Sequence, residues 1–74
     1  MQITIKLFAN FRNGRFATSI QEFPVGTRIS DVIQFQQIQA GEIGTIMLNN
    51  QHAEPDYPLQ DGDRLALFPL LGGG

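Results

Sequence analysis

Residues 2–8 alternate strictly, with Ile3, Ile5 and Leu7 on one side and Gln2, Thr4, Lys6 and Phe8 on the other. Period two over this length, with β-branched residues, specifies a strand with one buried and one open face. The pattern returns near the other end, where Leu65 and Leu67 share one face and Ala66 and Phe68 the other. A chain of 74 residues has room for a single modest core, burying about 60% of its unfolded surface, so both strands turn their apolar faces to the same interior. That size also argues against a deep catalytic cleft.

The stretch between them supplies a hairpin partner and a cover. Asn13-Gly14 is a strong turn signal, and a second strand is expected from Phe16 to about Phe23. Its parity is inconsistent, with Phe16, Thr18 and Ile20 on one face and Phe23 on the other, which a bulge near Gln21 would reconcile. After Pro24-Val25-Gly26, Ser30 reads as an N-cap, Asp31 suits the first turn, and Val32, Ile33 and Phe35 give the apolar face of a helix starting near residue 31. Ile29 is placed to staple that start, Gln34, Gln36, Gln37 and Gln39 to cover the wet side, and Gly41 to stop the helix. Thr45 to Asn49 reads as a third strand apolar on both faces, with Met47 as core filler. A short strand near Gln51 to Ala53, a loop with Pro55 and Pro58, and the turn Asp61-Gly62-Asp63 precede the last strand. Pro69 ends it, because proline cannot donate to the ladder.

Strand, strand, helix, strand, short strand, strand is the order of an α+β, β-grasp (ubiquitin-like) roll, a mixed sheet of four to five strands packed on one helix. The first and last strands then pair in parallel through the long crossover that the helical region supplies. That pairing brings Phe8 and Phe68 together on the outer face of the sheet. An exposed aromatic pair on so small a domain reads as a partner site; the alternative is that both rings tuck against loop residues such as Leu70.

Composition removes several function classes. The net charge is −2, with Lys6, Arg12, Arg15, Arg28 and Arg64 as the cations, too few for a phosphate-backbone footprint, so no nucleic-acid partner is expected. No apolar run approaches the ~20 residues of a membrane span and no signal peptide is evident, so the expectation is no membrane partner and a cytoplasmic location. There are no cysteines and one histidine, His52, which excludes disulfides, thiolate ligands and a multi-histidine metal site. Asp56, Asp61 and Asp63 lack the spacing of a calcium loop.

Gly72-Gly73-Gly74 follows the apolar run Leu65 to Leu71. Glycines cannot pack and are the most costly residues to order, so the expected organisation is a domain over residues 1–71 and a flexible tail over 72–74. Such a tail offers reach, slimness and the Gly74 carboxylate. Extended at 3.3–3.6 Å per residue, Leu70 to Gly74 would span roughly 17 Å, enough to enter another protein's buried site.

Several segments resemble a known family. Met1-Gln2-Ile3-Thr4-Ile5-Lys6 looks like the ubiquitin start, Leu7-Phe8-Ala9-Asn10-Phe11-Arg12 like the first strand of the molybdopterin synthase small subunit, and Val25-Gly26-Thr27-Arg28-Ile29-Ser30-Asp31-Val32 is similar to the helix entry of that subunit and of the thiamine sulfur carrier. The run from Leu59 to Gly74 resembles the last strand, proline and glycine tail of the molybdopterin branch, although three glycines are more familiar among thiamine carriers. The chain is thus identified as resembling the ubiquitin-like sulfur carriers of the MoaD/ThiS type. The resemblance implies a protein co-substrate rather than an enzyme. Its Gly74 carboxylate would be adenylated and converted to a thiocarboxylate, Gly72 and Gly73 would thread into the partner, and Phe8, Phe68, Pro69, Leu70 and Leu71 would contact it. The implied partners are an adenylating enzyme of the ubiquitin-activating type, which uses ATP, and a large synthase subunit or a thiazole synthase; no cofactor is bound. A ubiquitin-like modifier forming isopeptide bonds is the alternative of another class, with Lys6 as the single lysine.

Overall fold

The two alternating stretches lie side by side inside one sheet. The computed structural model describes residues 1–70; among them the strands are β1 (Gln2–Leu7), β2 (Thr18–Glu22), β3 (Ile43–Leu48), β4 (Gln51–His52) and β5 (Arg64–Pro69), with one α-helix, α1 (Ile29–Phe35). The sheet order is β2-β1-β5-β3-β4. β1 pairs with β5 in parallel, from Thr4 opposite Arg64 to Leu7 opposite Leu67, while β1–β2, β3–β5 and β3–β4 are antiparallel. This is the β-grasp roll. Its expected boundary between residues 71 and 72 lies outside the described residues.

Ile3, Ile5, Leu7, Leu65 and Leu67 are each 0% exposed, so alternation has put every one of them inside. Ile29, Val32 and Ile33 of α1 join them in one core cluster, with Ile46 and Leu48 of β3. Each such side chain contributes roughly 1.5–3 kcal/mol by leaving water. Phe11, 2% exposed, completes this core from a short 3-10 turn at Ala9–Arg12 that no sequence pattern announced.

Several local expectations are corrected. β2 needs no bulge near Gln21, because its register runs unbroken from Gln2 opposite Glu22 to Lys6 opposite Thr18. Ser19 and Gln21 face inward and Ile20 outward; Gln36 makes the polar inner positions tolerable, its Nε2 donating to Gln21 Oε1 at 2.8 Å while Gln21 Nε2 donates back at 3.3 Å. Gln36 is therefore buried rather than on the wet side.

The helix starts earlier than Ser30 would place it, with Arg28 as the N-cap position and Ile29 as a fully buried first residue. Its free N–H groups have other acceptors: Ile29 donates to the Tyr57 carbonyl and Ser30 to the Pro55 carbonyl, and the Asp31 carboxylate accepts from the Arg28 N–H at 2.9 Å. These bonds stitch the loop before β5 to the helix and remove the need for a serine cap. The helix stops at Gln37, with φ of 62°, and not at Gly41. The Gln37 N–H donates to Gln34 and the Ile38 N–H to Ile33, a paired closure normally built on glycine. Arg15 makes it affordable by donating to the Gln36 and Gln37 carbonyls. Phe35 lies 70% exposed, edge-on to Phe23.

β3 is buried on one face only, Ile46 and Leu48 inward and Thr45 and Met47 outward, because among the described residues no second layer covers the outer face. Met47 is accordingly a half-buried outer-face residue and not core filler. Asn49 and Asn50, with φ of 51° and 69°, form the left-handed turn into β4. The Asp61-Gly62-Asp63 turn is structural: Asp61 accepts from the Gln2 N–H at 2.7 Å, Asp63 from the Gln60 N–H and the Asn49 amide. No helix among the described residues is long and apolar enough to cross a membrane.

Candidate functional site

Parity and register together assemble the outer face. Lys6 lies opposite Thr18 on one side and Ala66 on the other, Ala66 opposite Met47, and Met47 opposite His52. This row crosses all five strands. Phe8 follows β1 in extended conformation, φ −123° and ψ 156°, so it continues the alternation by one residue onto that face. The backbone turns away immediately after it, at Ala9 with φ of 53°.

Phe8 and Phe68 stack, with centroids 4.2 Å apart and planes 12° from parallel. The expected juxtaposition is present, and both rings are half-buried. The Arg12 guanidinium carbon lies 5.4 Å from the Phe8 centroid, held there by its Nε donating to the Leu7 carbonyl at 2.7 Å. A cation over the open face of the outer ring fixes its orientation. The rings cover one another and are not sealed by Leu70, which stays 65% exposed. A shallow depression of about 560 Å³ beside them is lined by Gly44, Thr45, Met47, Phe68, Pro69 and Leu70, with His52 at its rim.

Of the residues expected to contact a partner, Phe8, Phe68 and Leu70 thus stand together where the chain leaves the sheet. Pro69 is buried, pairing with Ile43 at the end of β5, and shows only a small surface along the wall of that depression. Leu71, Gly72, Gly73 and Gly74 lie outside the described residues. Sequence reasoning missed Arg12, Met47 and Gly44 as parts of this face. Gly44 alone carried a usable signal, since glycine inside a strand marks a bulge or a close backbone approach.

The larger depression, about 890 Å³, lies elsewhere, between α1 and β3, with Ile33, Ile38, Ile43 and Ala53 among its walls. His52 and Glu54 are its titratable side chains, and among the described residues no three histidines, aspartates or glutamates gather to hold a metal. The sequence contains no cysteine to supply a thiol nucleophile at either depression. The outer face carries the stacked rings and the exposed Leu70.

The model of the ThiS family matches residues 5–74. No curated protein matches the sequence closely enough to count as a relative. Subunit 1 of a molybdopterin converting factor from Pyrococcus furiosus superposes with a TM-score of 0.79 at 25% identity, covering 96% of this chain and 99% of that one. Small archaeal modifier protein 1 of Haloferax volcanii gives 0.77 at 19%, covering 95% and 98%. In a protein–protein complex of subunits 1 and 2 of the molybdopterin-converting factor from Helicobacter pylori, the matching chain gives 0.67 at 20%, covering 100% of both. These last two share the fold.

Proposed function

The chain belongs to the ThiS family of ubiquitin-like sulfur carriers, and we propose that it carries sulfur on its Gly74 carboxylate for building molybdopterin. The observation that carries this reading is the Phe8–Phe68 stack standing beside exposed Leu70 at the point where the chain leaves the sheet. Docking there would set Leu70, the last described residue, against the partner. The molybdopterin branch is favoured by the full-length likeness to the Pyrococcus furiosus subunit. The Helicobacter pylori complex of two subunits supports a large synthase subunit as acceptor.

The chemistry asks little of this chain. An α-carboxylate has a reference pKa of about 3.3–3.7 and is ionised at neutral pH. It attacks the α-phosphate of ATP held by an adenylating enzyme, pyrophosphate leaves, and an acyl-adenylate forms. A persulfide on the sulfur-delivering partner attacks the acyl carbon, AMP leaves, and a thiol cleaves the resulting disulfide to free the thiocarboxylate. The protein brings a tail and a docking face, and no acid, base or side-chain nucleophile. The absence of cysteine removes any internal thiol that would capture the acyl group.

The test is an intact mass after incubation with ATP, the adenylating enzyme of the source organism and a sulfur donor. Exchange of one oxygen for sulfur on the C-terminal glycine peptide supports the carrier. Amide adducts on target lysines, with no such exchange, point instead to a protein modifier. Presenting the thiocarboxylated protein separately to a pterin precursor with the large subunit and to a thiazole synthase separates the two sulfur pathways.

A further inference from the structure

Gly44 lies where β3 passes the last residues of β5. A Cβ at this position would sit 2.6 Å from the Pro69 carbonyl oxygen, 2.9 Å from its carbonyl carbon and 3.0 Å from the Leu70 Cα. All three are backbone atoms, so no flexible side-chain end can move aside. The glycine is required by space and not by a left-handed backbone, since its φ lies outside that region. Ile43 pairs with Pro69 and Thr45 with Phe68, leaving Gly44 as the extra residue of a bulge. Just before it, the Glu42 carbonyl accepts the Leu70 N–H at 2.9 Å. The Pro69–Leu70 backbone is thereby gripped between a hydrogen bond and a bare patch of β3.

We propose that Gly44 is a positioning residue for adenylation of the terminal carboxylate: its missing side chain lets the Pro69–Leu70 peptide seat on β3 and so fixes the point from which residues 71–74 start. The inference rests on the sulfur-carrier reading. A Cβ would push the Pro69 carbonyl out by several tenths of an ångström and rotate the peptide that follows. The displacement falls on the Pro69–Leu70 peptide, the base from which residues 71–74 start. Adenylation is sensitive to such errors, because a misplacement of about 1 Å in the attacking carboxylate costs on the order of 100-fold in rate.

The experiment is steady-state adenylation by the source organism's adenylating enzyme, with the carrier as the varied substrate, for the wild type and Gly44→Ala. The expected result is a kcat about tenfold lower with KM changed less than about twofold. Simple loss of folded protein behaves differently: unfolded molecules lower the effective carrier concentration and raise the apparent KM, leaving the saturating rate intact. Wild-type kcat in Gly44→Ala overturns the inference and leaves the carrier reading standing. No adenylation of the wild type by an enzyme active on its own carrier removes both. Should Gly44→Ala not fold, Leu70→Pro, which deletes the N–H held by Glu42, is compared with Leu70→Ala, which keeps it. A kcat several-fold lower for the proline variant supports the grip, and equal kcat values overturn it.

Discussion

The inner and outer faces of the sheet come from the same strands and are held to opposite demands. On the inner face Ile3, Ile5, Leu7, Leu65 and Leu67 have no contact with water. On the outer face Lys6, Ala66 and Met47 form a row beside the half-buried Phe8–Phe68 stack, with no second layer over them among the described residues. A shift of one residue in any strand exchanges the two sets. Stability and recognition are therefore divided by parity, and a substitution can injure one while sparing the other.

The division is open to direct attack. Leu65→Ala removes a side chain that is 0% exposed and is expected to cost about 3 kcal/mol, a third or more of the stability of so small a domain; urea unfolding measures it, and a loss under about 1 kcal/mol would mean that the inner face is not the stabilising one. Phe68→Ala should do the reverse, lowering affinity for the large synthase subunit by about 30-fold or more with a stability loss of only about 1 kcal/mol; calorimetric titration beside urea unfolding reads both, and unchanged binding would sink the docking face. The inner face has one polar seam, the reciprocal Gln21–Gln36 amides. Gln36→Leu leaves the Gln21 amide short of partners and is expected to cost about 1 kcal/mol, most of which the double replacement by leucine restores. Lys6→Gln, on the exposed row, should change stability by less than about 0.5 kcal/mol, as a thermal melt would show.

What could be read from the sequence follows the same division. The alternation of residues 2–8 and 64–68 announced β1, β5, their faces and the meeting of Phe8 with Phe68, because period two leaves a side chain only two directions. Where local signals compete with long-range bonds, the sequence misled. Ser30 and Gly41 looked like helix boundaries, yet the Tyr57 and Pro55 carbonyls set the start and Arg15 stabilises a stop at Gln37. These partners are distant in sequence and invisible to a local pattern. Gln36 read as solvated because its partner, Gln21, is supplied by another element. Phe11 entered the core from a turn with no periodicity to reveal it. The stacked rings were legible as residues, and a glycine inside a strand signalled a close backbone approach at Gly44, but not what it meets, since Pro69 and Leu70 come from another part of the chain.

The place of β5 in the sheet has a mechanical meaning. It lies between β1, running parallel, and β3, running antiparallel. A pull along this strand, as when its end is drawn into another protein, loads both hydrogen-bonded ladders in shear. The bonds resist together, whereas an edge strand peeled sideways gives way one bond at a time. A partner can thus tug on the end of this domain without unravelling it, and the chain is let go as intact as it arrived.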